Sequence, residues 1–311
     1  MLEAYSKGEH QETERKTVEV HVGATNGKRG NEMKLTVLMD NNTIIDRYFL
    51  GEPGLSYLLE VDDRKILFDT GYSDAYLLNG QKMGIHFFDL DAIVLSHSHM
   101  DHTWGLEPLI KRFSEEVMEG RQFRQPILVA HPHIFDSKSF FGIEEFGVNV
   151  DPQKLAKYMT PQLTREPFWL TEHLVFLGEI PRKNDFEARR SIGKVLVGNM
   201  LVDDYSMDDS ALCYTGPEGL VIITGCSHAG ICNIIEHARA VCGDERVRDV
   251  IGGFHLLDPE EKQMSGTVAY FKSQGIKQTH PCHCTDLKSK IELAKWIPVE
   301  EVGVGLVLEY T

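Results

Sequence analysis

Four residues that can bind a metal ion lie within six positions, in the segment His97-Ser98-His99-Met100-Asp101-His102. Imidazole nitrogen and carboxylate oxygen are ligands that Zn²⁺ and its first-row neighbours accept. His97 and His99 are two residues apart, so in an extended chain their side chains project to the same side. Asp101 and His102 come after the bend and can face a neighbouring position. The segment therefore predicts one metal ion or two adjacent ions, with a polar surface loop as the alternative.

The elements that must position this segment are predicted from apolar runs and turn residues. An apolar strand over 89–96 ends where the histidines begin, and apolar residues at three- and four-residue spacing predict a helix over 105–113. Several other predicted strands also end at a histidine or an aspartate. The predicted strands are 34–41, 55–61, 65–71, 89–96, 126–131, 174–178, 219–225, 249–255, 276–283 and 302–309. A second helix is predicted over 230–242, and strand pairs followed by alternating strands and helices indicate a layered α/β domain.

The composition predicts a globular protein with one main domain. We expect residues 1–33 to form a polar N-terminal extension and 34–311 a single domain, with an insertion around 135–170. The extension lacks the apolar stretch of a signal peptide, no stretch approaches a membrane span, and six cysteines lack a framework spacing, so we expect reduced thiols and a cytoplasmic location. A net charge of −15 argues against nucleic acid and anionic membranes as partners.

The histidine segment also carries a family resemblance. Leu95-Ser-His-Ser-His-Met-Asp-His102 has the pattern H-x-H-x-D-H and resembles the signature of the metallo-β-lactamase fold superfamily. Phe68-Asp-Thr-Gly71 is similar to the superfamily's early strand that ends in aspartate, and later histidines follow in the expected order, so the resemblance covers residues 34–311. It implies an α/β fold, the four-layer αββα sandwich of the metallo-β-lactamase type.

Three further segments resemble one branch of that superfamily. They are 224–231 (TGCSHAGI), 252–256 (GGFHL) and 281–285 (PCHCT). The branch bears the name 7,8-dihydropterin-6-yl-methyl-4-(β-D-ribofuranosyl)aminobenzene-5′-phosphate synthase, which connects it to biosynthesis of a tetrahydromethanopterin-type cofactor. A fold alone hosts many reactions, so the branch motifs rather than the fold point to this chemistry.

The resemblance implies a division of the ligands between two positions. His228 would complete a site with His97 and His99, and His283 would join Asp101 and His102 at the second. Asp69 would hold a ligand imidazole in the correct tautomer through its other nitrogen, although a structural turn is the alternative. The cofactors would be one or two divalent transition-metal ions, with zinc favoured and iron or manganese also compatible with these ligands.

The sequence departs from the superfamily at the strand before His255. Many relatives carry a bridging aspartate there, whereas this chain has Gly252-Gly253. The second ion could bind more weakly as a result, or His255 could act near the metals as a ligand, an acid or base, or a phosphate contact. We assign catalytic roles to Asp101 and His255. A second departure is Trp104, which could stack on a flat substrate ring or occupy the core or rim.

Other candidate residues are supported by residue type alone. Asp209 could line the pocket or belong to an acidic turn, and Arg182 and Arg190 could contact a substrate phosphate or lie solvated at the surface. We expect the thiols of Cys282 and Cys284 to be buried and to face away from the side of His283. His131 and His133 are expected to support the site indirectly or to be structural rather than to bind metal.

Three functions are compatible with these residues. The first is a metal-dependent enzyme acting on a phosphorylated pterin-like or ribosyl small molecule by transfer or condensation. The second is a metal-hydroxide hydrolase of a phosphodiester, lactone or thioester. The third is a non-catalytic ligand sensor, which the full set of ligands disfavours. The sequence leaves the oligomeric state open.

Overall fold

The computed structural model describes residues 32–311. The predicted polar extension lies outside the described residues except for Glu32 and Met33. Met33 already belongs to the first strand and is buried in the core, so the regular structure begins one residue before the predicted boundary.

The described residues form sixteen strands. They are β1 (Met33–Met39), β2 (Ser56–Val61), β3 (Arg64–Phe68), β4 (Ala92–Val94), β5 (Ile127–Ala130), β6 (Lys138–Ser139), β7 (Thr160–Leu163), β8 (Phe168–Trp169), β9 (Leu174–Phe176), β10 (Lys194–Val197), β11 (Met200–Asp203), β12 (Ala211–Gly216), β13 (Gly219–Thr224), β14 (Val247–Gly253), β15 (Gln278–Cys282) and β16 (Val307–Tyr310).

Seven helices occur in the same residues. They are α1 (Ala75–Lys82), α2 (Met100–Thr103), α3 (Leu106–Met118), α4 (Pro152–Leu155), α5 (Ile231–Cys242), α6 (Glu261–Gln274) and α7 (Leu287–Ala294). Within residues 32–311, no helix has both the length and the apolar character that a membrane crossing requires.

Two large sheets stack face to face between helices. The first has the strand order β16-β1-β2-β3-β4-β5-β7, and the second has the order β15-β14-β13-β12-β9-β8. Buried side chains such as Tyr57 and Phe68 of the first sheet meet Tyr214 and Ile251 of the second in one core between the sheets. Helices α1, α3 and α4 cover the outer face of the first sheet, and α5, α6 and α7 cover that of the second. The predicted four-layer αββα sandwich is confirmed.

Local sequence explains the strands that carry the site. Every residue of β13 is buried, because its run of apolar residues lies between the other sheet and α5. The β2–β3 hairpin turns at Asp62 and Asp63, which both have positive φ, as a two-residue hairpin turn requires. Strands β3, β4 and β5 are parallel to one another, as are β13, β14 and β15. The carboxyl ends of each set therefore share one edge, which brings their loops together.

The segment 135–170, for which we predicted an insertion over one face, contributes strands to all three sheets. Strand β7 pairs in parallel with β5 and extends the first sheet, while β8 pairs with β9 at the edge of the second. Only β6 joins a separate three-stranded sheet with β10 and β11. These are short edge strands with largely exposed or half-buried residues, which explains why the sequence shows little periodicity there.

Candidate metal centre

The loop after β4 carries the histidine segment, and contacts from other elements fix its path. The Ser210 N–H donates to the Ser96 carbonyl at 2.9 Å, and the Ser98 N–H donates to Asp208 Oδ2 at 2.8 Å. Lys138 of β6 donates to the other oxygen of this carboxylate at 2.6 Å. The small sheet therefore supports the loop through a buried ion pair.

Three histidines converge in a first cluster, which consists of His97, His99 and His228. His97 Nε2 lies 3.0 Å from His99 Nδ1 and 3.2 Å from His228 Nε2, and all three side chains are buried. His228 reaches this position from the turn after β13, more than a hundred residues along the chain. The structure thus brings together the three residues that the resemblance assigned to one site.

A second cluster lies beside the first and consists of Asp101, His102 and His283. The Nε2 atoms of the two histidines are 3.1 Å apart. Asp101 Oδ2 lies 3.3 Å from His283 Nε2 and 3.7 Å from His102 Nε2. The ring centroids of His97 and His102 are 4.3 Å apart, so the two clusters are in direct contact.

The buried carboxylate of Asp69 orients histidines in both clusters. His102 Nδ1 donates to Asp69 Oδ2 at 2.7 Å, which leaves the Nε2 lone pair facing the second cluster. Ser96 donates through its N–H and its hydroxyl, each at 2.7 Å, and its hydroxyl oxygen in turn accepts from His97 Nδ1 at 2.9 Å. The structure therefore contains the hydrogen bond that the predicted role of Asp69 requires.

Two residues after β1 that were not predicted as site residues orient His283. Asp40 Oδ1 accepts the His283 N–H at 3.0 Å, and the Asn41 amide donates to the His283 carbonyl at 3.2 Å. This fixes the amide so that Asn41 Oδ1 accepts from His283 Nδ1 at 3.2 Å. The polar pair that ends the first predicted strand was the available signal.

Cysteines also reach the clusters, which corrects one expectation. Cys282 is buried between the sheets and contacts the Tyr57 hydroxyl at 3.1 Å, as expected of a core thiol. The expectation that Cys284 faces away is wrong, because its sulfur lies within 4.8 Å of ligand atoms of Cys226 and His283. Residues 282 and 284 do not share a face, since His283 between them has a left-handed backbone (φ 51°) that breaks the strand alternation.

The electrostatics favour neutral imidazoles in the first cluster and a positive charge in the second cluster. Burial lowers the pKa of His97 and His228 well below the ordinary value, and burial with nearby Lys138 lowers the pKa of His99 to about 3. Burial also opposes charge on His283, but Asp101 and Cys284 outweigh it and raise the pKa of His283 to about 9. The second cluster therefore stabilises a positive charge.

The donor atoms fit a transition-metal ion. A tetrahedral ion about 2.0–2.1 Å from each nitrogen separates two ligand nitrogens by about 3.3 Å, and the nitrogen pairs here are 3.0–3.2 Å apart. In the first cluster the lowered pKa values favour uncharged rings. One hydrogen cannot join the three converging ring nitrogens of His97, His99 and His228. One cation can contact all three, so the residues present fit the metal that the sequence predicts.

His255 and Arg190 share a cleft next to the first cluster. This cleft is lined by His228, His255, Arg189, Arg190 and Gln263, among others. The ring of His255 lies 4.5 Å from that of His228, and its buried Nδ1 has no hydrogen-bond partner among the described residues. Arg190 is exposed and pairs with Glu260.

Asp209 supports the loop that carries His228. Its Oδ2 accepts the Ala229 N–H at 2.8 Å, while Oδ1 has no partner within residues 32–311. Burial raises the pKa of Asp209 to about 7, against the opposing effects of the Ala229 hydrogen bond and Arg182. This places Asp209 behind the site as a support for the His228 turn.

Other candidates lie in different depressions. Arg182 donates to the Ser206 carbonyl at 2.8 Å and lines a depression beside the small sheet. Trp104 stacks on Tyr72 and donates to the Gly147 carbonyl at 2.7 Å, which agrees with a rim position. His131 is buried and contacts Glu179 at 3.1 Å, as expected of a structural residue.

Comparisons with known proteins place these residues in a family context. A sequence profile described as the metallo-beta-lactamase superfamily matches residues 50–139. A 7,8-dihydropterin-6-methyl-4-(beta-D-ribofuranosyl)-aminobenzene-5'-phosphate synthase of Methanocaldococcus jannaschii is 33% identical over 279 residues, covering 85% of this chain and 91% of that protein. An uncharacterized protein of the same archaeon is 29% identical and covers 84% of this chain and 94% of its own length.

A solved structure is similar over nearly the whole fold. It is that of Tm1679, described as a metal-dependent hydrolase of the beta-lactamase superfamily. The TM-score is 0.74 at 27% sequence identity, and the match covers 89% of this chain and 98% of the other.

Replacing Asp69 by asparagine should weaken metal binding. The amide substitutes an N–H donor for one acceptor oxygen, so at least one of the three donors from Ser96 and His102 loses its partner. We expect zinc affinity to fall about 10–100-fold, measured by competition with a chelator. The control is Asp63→Asn in the exposed β2–β3 turn, which should bind zinc normally. Unchanged affinity in Asp69→Asn would contradict the orienting role.

The Asp208 ion pair should make stability depend on pH. Burial alone would raise the pKa of Asp208, but Lys138 and the Ser98 N–H outweigh it and lower the pKa to about 2. A lowered carboxyl pKa stabilises the fold above the unfolded value of about 3.9, and this is lost as the pH falls towards 2. Asp208→Asn should therefore cost about 2 kcal/mol at neutral pH, with the difference from wild type narrowing below about pH 4.

Urea unfolding across this pH range measures the difference. Asp203→Asn removes a carboxylate from an exposed pair with Lys194 and should change stability by less than about 1 kcal/mol throughout. A pH-independent difference for Asp208→Asn would show that the ion pair is not the stabilising interaction.

Proposed function

The chain belongs to the metallo-beta-lactamase superfamily, in the branch of the dihydropterin–ribofuranosylaminobenzene-phosphate synthase, and we propose that it is a metal-dependent enzyme acting on a phosphorylated pterin-like or ribosyl small molecule. One observation carries the proposal. Two clusters of ligand atoms contact each other beside a cleft that contains two arginines.

Different residues of the chain would bind the metal ions and orient the ligands at this site. His97, His99 and His228 would hold one divalent ion, and Asp101, His102 and His283 the other, with zinc favoured and iron or manganese compatible. When bound, such ions lower the pKa of a coordinated water and neutralise charge on substrate oxygens. Asp69 accepts a hydrogen bond from His102 Nδ1, and Asn41 accepts one from His283 Nδ1. These contacts keep the two ligand imidazoles in position.

The cleft supports a phosphorylated substrate. Arg189 and Arg190 are exposed at its rim, and arginine offers several donors to phosphate oxygens. His255 lines the same cleft as these arginines, and its ring nitrogen Nδ1 has no partner among the described residues. We assign His255 a hydrogen bond to the phosphate or the transfer of a proton at the reacting oxygen.

The relative's name defines the reaction that we infer. Its product joins the methyl carbon of a dihydropterin to the amino nitrogen of a ribosylaminobenzene phosphate. From a pterin pyrophosphate, the carbon–nitrogen bond forms as the carbon–oxygen bond breaks, pyrophosphate leaves with the bonding electrons, and the amine loses a proton. The arginines and His255 would stabilise the charge that develops on such a leaving group.

Hydrolysis is the second candidate because of one comparison. The chain is similar over nearly its full fold to a protein described as a metal-dependent hydrolase. The same clusters and cleft would then act on a phosphodiester, lactone or thioester, with water in place of the amine.

A substrate panel separates the two functions. The full chain, loaded with zinc, is incubated with a pterin pyrophosphate plus ribofuranosylaminobenzene phosphate, and separately with a phosphodiester, a lactone and a thioester. We expect product only from the first pair, detected by mass spectrometry, and none from a His97→Ala/His99→Ala variant. Turnover of a simple ester alone would favour the hydrolase, and absence of bound metal would contradict both.

Replacing His255 by asparagine should reduce turnover without releasing metal. Asparagine tolerates the left-handed backbone at this position (φ 52°), so the loop should keep its shape. We expect kcat to fall about 10²–10⁴-fold with metal content unchanged. His86→Asn, an exposed change of the same type, should keep full activity. Loss of an ion from His255→Asn would instead identify His255 as a ligand.

A further inference from the structure

The sulfur of Cys226 occupies a place in the second cluster that no predicted ligand fills. Cys226 Sγ lies 3.2 Å from His102 Nε2 and 3.2 Å from His283 Nε2, and the residue is 5% exposed. The two nitrogens are 3.1 Å from each other, and Asp101 Oδ2 lies 3.3 Å from that of His283. The sulfur thus forms a tight group with two imidazoles beside a carboxylate.

Hydrogen bonds can join the atoms of this group only in pairs. His102 Nε2 has only a lone pair to offer, because Asp69 accepts the hydrogen on the other nitrogen. One hydrogen, whether on the thiol or on His283 Nε2, can join only two of these atoms at a time. A single cation, in contrast, can contact the sulfur and both nitrogens together, with the Asp101 carboxylate beside them.

The separations match mixed nitrogen and sulfur ligation. With zinc about 2.0–2.1 Å from nitrogen and about 2.3 Å from sulfur, tetrahedral geometry gives nitrogen–sulfur separations of about 3.5 Å. The observed nitrogen–sulfur distances are both 3.2 Å. Cys226 also lies within 4.8 Å of a ring nitrogen of His97, so it stands on the side of the second cluster that faces the first.

Steric crowding explains why the end of β14 carries glycines and no aspartate. A Cβ atom on Gly253 would lie 2.5 Å from Cys284 Sγ and 2.7 Å from the Gly225 carbonyl oxygen. A Cβ atom on Gly252 would lie 2.0 Å from the Thr224 carbonyl oxygen. The end of β14 therefore has no room for a side chain, and the neighbouring turn after β13 supplies the sulfur instead.

We propose that the Cys226 thiolate is a ligand of the second metal position, together with Asp101, His102 and His283. This assignment rests on the metal dependence in the proposed function and adds a soft ligand, which favours zinc or cobalt over manganese. Cys284 is not assigned as a ligand, since its thiol donates to the Cys226 carbonyl at 3.4 Å.

Cobalt provides a readout that is independent of activity. Thiolate ligation of Co²⁺ produces an intense near-ultraviolet charge-transfer band that nitrogen and oxygen ligands do not produce. We expect this band in the full chain loaded with two equivalents of Co²⁺. Cys226→Ser should lose the band and bind the second ion at least about tenfold more weakly, since loss of an outer partner alone costs that much.

Two cysteine variants serve as controls. Cys284→Ser tests the neighbouring thiol, and Cys232→Ser tests a buried thiol in the first turn of α5. Both should keep the band and the second ion. Cys226→Asp should restore the second ion through oxygen but not the band. Retention of the band in Cys226→Ser, or its loss in Cys284→Ser alone, would overturn the assignment.

A measurement on the unmodified protein covers the case in which variants fail to fold. X-ray absorption of the zinc-loaded chain should show a zinc–sulfur distance of about 2.3 Å. Two bound ions without a sulfur neighbour would overturn the Cys226 assignment and leave the proposed function intact. Failure of the full chain to bind any metal would contradict the proposed function itself.

Discussion

The buried carboxylate of Asp69 is the constraint on which the site depends. A carboxylate removed from water must be compensated by donors, and within residues 32–311 Ser96 and His102 supply them. The same contacts decide which nitrogen of His102 faces the cluster, and through the Ser96 hydroxyl they do the same for His97. The cost of burying one charge is thus balanced by the hydrogen bonds that position the ligands.

This arrangement is possible because the two sheets present their strand ends at one edge. Asp69 follows β3, the histidine segment follows β4, and the turn of Cys226 and His228 follows β13. Asp69, Ser227 and His283 each have a left-handed backbone, with φ between 51° and 59°. Such conformations cost free energy in residues other than glycine, and the packing of the αββα sandwich compensates for that cost where the chain must turn sharply into the site.

The sequence predicted the elements and ligands whose signals are local. The density of ligand types in 97–102 predicted a metal site, and the apolar run over 219–225 predicted the core strand β13. Helix α6 was missed because Gly266 interrupts its pattern, and that glycine is required by Phe186, whose ring would lie 2.5 Å from a Cβ atom. The site residues that escaped prediction, Asn41 and Cys226, depend on contacts between distant segments that no local pattern contains.

The crowding at the end of β14 has an evolutionary consequence. A carboxylate could enter at Gly253 only if the sulfur of Cys284 were removed and the Gly225 backbone moved, so a single substitution there meets a steric barrier. Positions 253 and 284 should consequently change together, as an epistatic pair. A carboxylate at position 253 without a smaller side chain at position 284 would disrupt the strand end.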